Sequence, residues 1–387
     1  MRKNKINNKK LTIGLPVMHK ETGEKRCFLP KLVGCLEKYG ARVVLEHQYG
    51  AEMNLSKDDY RKAAPNLDFS DNTEVYQQDI VFVLRCPDEA RIRLMRRGAC
   101  LISMLHFGTR PKRIRLLRSL GIEAISLDSI SDDSGRRMVE NFNAVAWNGM
   151  EAAFSVLQKI YPAPGFFNPS RPPIRITLVG AGALGAHTVR AAVRYGNIPL
   201  QKRLARSGVP GIIISAVDYD ITNHFDVMHD LMSHTDILVD SSSRPDTTRA
   251  IIANAWLDHL PDHAIILDLC VDPYQQVGNT FHTKGIEGIP QGNLDQYIFS
   301  PDDPAFDNIP GHVPSKERRH TVSCYSWPGI HPTQCMQIYS SQLHPIMRTL
   351  VSRGGPADVH PDGNFFERAI SRALLSNYQQ TQESSHQ

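Results

Sequence analysis

The chain has 387 residues, of which 41% are hydrophobic and 22% charged, and a formal net charge of +4. That length allows two domains, each with its own core, and the composition is that of a soluble globular protein. No apolar run approaches the roughly 20 residues that cross a bilayer, no signal-peptide core follows the basic start, and the small charge gives no case for nucleic acid.

In chain order, residues 1–10 (MRKNKINNKK) read as a disordered, solvated basic arm with no interleaved aromatics. LTIGLPV then reads as a strand, LPKLVGCLEKYG as an amphipathic helix ending at Gly40, and ARVVLEH, DIVFVL, ACLISML and EAISLD as further strands. This alternation predicts a parallel α/β sheet. A long helical stretch, RRMVENFNAVAWNGMEAAFSVLQKIY, runs into the proline-rich linker PAPGFFNPSRPP. A second α/β series follows, with strands RITLVG, IIISAV, TDILVD and AIILDLCVD. PTQCMQIYSSQLHPIMRTLVSR is a second long helix, and QQTQESSHQ a disordered tail. Seven cysteines, an odd number with no C-x-x-C pair, fit buried thiols in a reduced cytoplasmic compartment.

Between RITLVG and the next helix lies Gly180-Ala181-Gly182-Ala183-Leu184-Gly185. Gly180 permits a sharp reversal after the strand, Gly182 leaves room for a pyrophosphate, and Gly185 permits close helix–sheet packing. The helix N-terminus adds unpaired N–H groups and a positive dipole end. Strand before and helix after favour a dinucleotide site over a purely structural turn, the alternative reading. No acid stands at the usual distance of about 20 residues. Asp218, with Asp220 beyond it, follows IIISAV and reaches a ribose if that strand is the next one; its strand can equally be a later one.

Three further residues sit where parallel strands place ligands, at their carboxyl ends. His106 follows LISML, with a core or capping histidine as the plain alternative. Arg85 ends DIVFVL, and its charge calls for a partner, either an anionic substrate or a structural carboxylate. Asp272 ends IILDLCVD in the second series, facing the crevice where a nicotinamide would lie. His224, His229 and His234 do not make a metal site, because five-residue steps rotate about 140° each on a helix. There is no G-x-S-x-G elbow and no H-E-x-x-H pair.

These residues, in this order, resemble the family of alanine dehydrogenase and the alpha subunit of nicotinamide nucleotide transhydrogenase, over about residues 11–375. IGLPVMHKETGEKRCFLP is similar to its N-terminal signature, DIVFVLRCP and LISMLHFG to its strand pair bearing a substrate lysine and the catalytic histidine, LVGAGALG to its nucleotide loop, and ILDLCVDP to its catalytic aspartate segment. The resemblance implies catalytic roles for His106 and Asp272 and a substrate-carboxylate role for Arg26, or for Lys25 if the alignment shifts by one. Arg85 stands where alanine dehydrogenases have lysine, and SWPGIHPT replaces an asparagine-containing segment; both weigh against strict alanine dehydrogenase activity. Arginine stays protonated, so at 85 it clamps carboxylates rather than moving protons. A histidine at 106 speaks against the transhydrogenase subunit. The short spacing from Asp218 to TDILVD is more like saccharopine dehydrogenase, whose relative carboxyethyl-ornithine synthase also uses an amino acid's amine.

The resemblance implies two Rossmann-like, doubly wound parallel-sheet domains with an interdomain cleft: a discontinuous substrate domain (11–145 and 325–378) and an NAD(P)-binding domain (146–324). The implied activity is an NAD(P)-dependent oxidoreductase acting on a C–N bond of an amino acid or opine-like secondary amine, with hydride transfer through an imine. The alternatives are a catalytically silent dinucleotide sensor and a transhydrogenase-alpha-like NAD-binding subunit. NAD or NADP is the expected cofactor, with no metal. The expected partners are an amino-acid or keto-acid substrate and further copies of the chain, with neither nucleic acid nor membrane.

Overall fold

The computed structural model describes residues 10–18, 23–244, 246–277 and 279–378; the glutamine-rich end and all but the last residue of the basic start, both expected to be disordered, lie outside them. The chain forms two compact units, Met1–Asn141 with His331–Gln387, and Phe142–Ile330.

The first unit is built on six strands: β1 (Thr12–Leu15), β2 (Arg42–Glu46), β3 (Asp68–Ser70), β4 (Ile80–Arg85), β5 (Cys100–Met104) and β6 (Glu123–Ser126). Their order is β3-β2-β1-β4-β5-β6 and every neighbouring pair is parallel. Strands β4 and β5 are mostly apolar and buried on both faces up to their last residues, as helix-covered parallel strands must be; the exception within them is Ser103, whose hydroxyl donates to the Leu84 carbonyl. Helix Pro30–Lys38 opens on a proline, whose missing N–H costs nothing there, and buries Leu32, Val33 and Leu36. Against it packs helix Pro332–Arg353, which brings Cys335, Met336, Tyr339, Leu343 and Met347 into the same core. Each large side chain so buried stabilises the unit by about 1.5–3 kcal/mol.

The second unit begins with helix Phe142–Ile160 and continues with β7 (Ile174–Val179), β8 (Ile212–Val217), β9 (Ile237–Asp240), β10 (Ile265–Asp268), a hairpin of β11 (Gln275–Val277) and β12 (Thr280–His282), then β13 (Ile298–Phe299) and β14 (His320–Ser323). The main sheet runs β13-β14-β10-β9-β7-β8, parallel except for β13. Ile176, Val239, Leu267 and Val322 face one apolar cluster with Phe154 and Leu157; Val179, Leu238 and Ile266 face another with Met228 and Met232. Both faces are therefore covered, and the two Rossmann-like parallel sheets expected from the sequence are present.

Two local expectations need correction. The long helix starts at Phe142, not Arg136, because the backbone before it is spent on a turn: Asp132 accepts from the N–H groups of Ser134 and Arg136, and Ser131 bridges to Arg137. Strand β10 ends at Asp268, so Asp272 lies in the loop four residues beyond it rather than at the strand's end. No helix among the described residues is long and apolar enough to cross a membrane.

Candidate functional site

In the first unit, the carboxyl ends of β4, β5 and β6 carry Arg85, His106 and Asp128 respectively. The register aligns them: Arg85 pairs with Met104, and Ser103 with Ser126. His106 adopts φ 51°, ψ 54°, a left-handed conformation uncommon for a residue with a Cβ and one that clusters at functional sites. Asp128 holds that turn. Its Oδ1 accepts from the Leu105 N–H (2.9 Å), the His106 N–H (3.1 Å) and the Ser126 hydroxyl (2.8 Å), while Oδ2 lies 3.4 Å from His106 Nδ1. Burial works to raise the Asp128 carboxyl, but hydrogen bonds and charge from His106, with the Ser126 bond, hold it well below the usual carboxylate range. The His106 side chain is half exposed, with Nδ1 turned to Asp128.

Arg26 was expected to hold a substrate carboxylate. In the structure it is buried, and its fork is engaged by the protein's own Glu24: Nε donates to Oε1 (2.8 Å) and Nη2 to Oε2 (2.6 Å). Arg85 Nη1 lies 3.9 Å from the same Oε2, so the structural carboxylate weighed for Arg85 exists. Burial raises the Glu24 carboxyl, and the charges of Arg26 and Arg85 with the Arg26 bonds bring it below its ordinary value. Lys25 is exposed and, with Glu24, Val17, Met18, Glu46 and Glu52, lines a cavity of about 410 Å³.

In the second unit, β7 leads into the glycine turn. Gly180 has φ 93°, and a Cβ there would lie 2.6 Å from Ser242 Cα; a Cβ on Gly185 would lie 2.3 Å from Gly180 O. A Cβ on Gly182 would meet nothing within 4 Å, and Ala181, Gly182 and Ala183 are exposed at the start of helix Ala183–Ala192; Leu184, next in that helix, packs partly buried against the core. Strand β8 pairs directly with β7, so Asp218 does end the next strand. Its Oδ2 accepts from the Ala181 N–H (3.3 Å) and Oδ1 from the Tyr219 N–H (2.8 Å). Open backbone donors beside a strand-end carboxylate fit a dinucleotide's pyrophosphate and ribose diol.

Asp272 belongs to this second unit and His106 to the first. Asp272 Oδ2 accepts from Arg244 Nη2 (2.7 Å), and Arg244, buried, also donates to the carbonyls of Arg249 (2.6 Å) and Thr283 (2.7 Å). Beneath the loop, Asp268 takes a buried ion pair from Lys284 (2.8 Å) and a bond from the Ser323 hydroxyl (3.0 Å). Neighbouring Asp240 accepts from the Ser242 N–H (3.0 Å) and hydroxyl (2.6 Å); burial, with the charge of Asp268, pushes its carboxyl up to about 6. Sequence reading did not single out Asp128, Glu24, Arg244, Asp240 or Lys284. A signal existed for Asp128 and Asp240, since each follows or ends an apolar strand as Arg85 does. Among the described residues, no group of three or more His, Cys, Asp or Glu is placed to hold a metal ion, and His224 and His234 flank helix Phe225–Ser233.

Residues 17–146 match the family model for the alanine dehydrogenase/PNT N-terminal domain. The alpha subunit of NAD(P) transhydrogenase from Haemophilus influenzae is 24% identical over 194 residues, 49% of this chain and 37% of that protein. Alanine dehydrogenase from Bacillus subtilis is 22% identical over 190 residues, 48% of this chain and 50% of the relative. The matched region thus spans half or less of these relatives' own lengths. Among solved structures, an L-alanine dehydrogenase superposes with a TM-score of 0.68 at 15% identity, covering 94% of each chain. A transhydrogenase from Sinorhizobium meliloti gives 0.60 at 15% identity, covering 88% of this chain and 94% of that one. At such identity the likeness is one of fold.

Proposed function

We propose, for a chain whose residues 17–146 match the alanine dehydrogenase/PNT N-terminal domain model, that it is a nicotinamide-dependent oxidoreductase acting on a C–N bond of an amino acid or opine-like secondary amine. Both relatives above are named for oxidoreductase activities, which supports an enzyme of this kind. The observation that carries the reading is the pairing of His106 with buried Asp128 at the carboxyl edge of the first sheet. A bound nicotinamide would supply or accept the hydride. The chain's own residues would do the rest. Asp128 fixes the His106 tautomer through Nδ1, and Nε2 moves protons on the substrate's amine or carbinolamine oxygen. Arg85, on the strand beside the one that carries His106, would orient an anionic substrate group, a role its permanent charge and planar fork suit. Asp218 at the end of β8 favours NAD, because a carboxylate there accepts from a ribose 2′-OH and repels a 2′-phosphate.

The test is a spectrophotometric comparison of pyruvate plus ammonia with pyruvate plus ornithine or lysine, using NADH and NADPH, for wild type and Arg85→Lys. Oxidation of NADH with an amino-acid amine supports the reading. Efficient wild-type turnover with ammonia alone removes the opine-type assignment, and cofactor binding without any turnover across keto acids and amines removes the enzymatic one.

A further inference from the structure

We propose that Arg244 is a positioning residue for the dinucleotide: it holds Asp272 so that the free carboxylate oxygen accepts a hydrogen bond from the nicotinamide-bearing half of the cofactor. The inference rests on the nicotinamide-dependent reading above, and it makes Asp272 a fixed acceptor in place of an acid or base.

The loop after β10 is pinned twice. Val271 adopts φ 53°, in the left-handed region that a β-branched side chain rarely enters. Asp268 keeps it there: Oδ1 accepts from the Val271 N–H (2.8 Å), while Oδ2 is fixed by Lys284 (2.8 Å) and the Ser323 hydroxyl (3.0 Å). The next residue is Asp272. Its Oδ2 accepts from Arg244 Nη2 (2.7 Å), and its Oδ1 has no partner among the described residues.

Arg244 does not depend on Asp272 for its place. Its side chain is 5% exposed, and its fork donates to two backbone carbonyls, Arg249 O from Nη1 (2.6 Å) and Thr283 O from Nη2 (2.7 Å). The segments that carry them are tied together by the Thr283 N–H on Thr247 O (2.8 Å) and the Ile251 N–H on Gly285 O (2.8 Å). A buried guanidinium needs a counter-charge, and Asp272 is the one carboxylate within 4 Å of it among the described residues. One oxygen of Asp272 is thereby committed and the other is left to the open side of the loop, where the side chain is 30% exposed.

Strands β7, β9 and β10 are parallel, so this loop and the glycine turn leave the sheet at the same edge. Cys270 joins them: its thiol donates to Ser242 O (2.8 Å), and Ser242 packs against Gly180. Strand β8, with Asp218 at its end, flanks β7 on one side, and β9 and β10 lie on the other. A dinucleotide with its pyrophosphate on the turn and its adenosine ribose at Asp218 therefore extends its second half toward β9 and β10. That half brings donors, its ribose hydroxyls and its carboxamide NH₂, and Asp272 Oδ1 is an acceptor.

Calorimetry with NADH, ADP-ribose and ADP tests this, since ADP lacks the second ribose and ADP-ribose lacks only the nicotinamide. Asp272→Asn can keep the bond to Arg244 and turns an NH₂ outward in place of the acceptor; Arg244→Met removes the support. Each should weaken NADH by about ten- to a hundredfold, as for one charge-assisted hydrogen bond, and leave ADP unchanged. A matching loss for ADP-ribose places the donor on the ribose, and an unchanged ADP-ribose places it on the carboxamide. Arg244→Lys should recover most of what Arg244→Met loses. The double variant should bind no more weakly than Asp272→Asn, because Arg244 acts through Asp272. An unchanged NADH affinity in Asp272→Asn overturns the proposal, whether or not Arg244→Met folds. So does an equal weakening of ADP, or losses that add in the double variant. A wild type that binds ADP as tightly as NADH overturns this proposal alone, and one that binds neither removes the dinucleotide reading with it.

Discussion

Replacing Asp240 by Asn should change how the second unit's stability depends on pH. Asp240 is buried against Asp268, and its carboxyl is pushed up to about 6, by burial first and the Asp268 charge second. In the unfolded chain an aspartate titrates near 3.9. The folded value is the higher one, so the stabilisation Asp240 contributes is fully present below about pH 4 and is lost as pH rises through 6. A shift of about two units is on the order of 3 kcal/mol over the whole range, and about 2 kcal/mol between pH 4.5 and 7.5. Asparagine is nearly isosteric, keeps an acceptor for the Ser242 N–H and hydroxyl, and cannot ionise. All three tryptophans, Trp147, Trp256 and Trp327, lie in the second unit, so their fluorescence in a urea titration reports its unfolding alone. The difference in unfolding free energy between Asp240→Asn and wild type should move in the variant's favour by about 2 kcal/mol from pH 4.5 to 7.5. A difference that does not vary with pH would refute the reasoning, and with it the claim that the two carboxylates feel one another.

Gly182→Val should abolish dinucleotide binding in calorimetry while leaving the melting curve intact, because a Cβ there meets no protein atom within 4 Å and projects into the open space beside the turn. His106→Ala should keep cofactor affinity and lower turnover by roughly two to four orders of magnitude; a fully active variant would reduce His106 to a structural histidine. Asp218→Ser should narrow the preference for NADH over NADPH by about tenfold, worth about 1.4 kcal/mol, read from the two affinities in parallel titrations.

The sheets were legible because parallel strands buried on both faces are short, largely apolar runs between helical patterns, and β4, β5 and β9 have that form. Strand β14, HTVS, carries three polar residues in four and passes for loop; its neighbours β10 and β13 make it a strand. The glycine turn was readable because its chemistry is local. The site's partners were not. Asp128 is 22 residues from His106, and Arg244 is 28 from Asp272, distances that only the strand register and loop path convert into contact. Arg26 shows the opposite failure. Its carboxylate partner is two residues away, but a sequence pattern records a cation that wants an anion and not which anion fills its fork.

The chain leaves the first unit at Asn141 and re-enters it at His331, and helix Pro332–Arg353 supplies part of that unit's core. During synthesis, the face of helix Pro30–Lys38 that this late helix covers emerges first and waits while about 290 residues are added. At about 5–20 residues per second that interval is on the order of 15–60 s. The contiguous second unit emerges whole within it and can fold before the first is complete. A nascent chain stalled once Ile330 has cleared the ribosomal tunnel should therefore hold a protease-resistant second unit beside a susceptible N-terminal segment, which should be the last to become native.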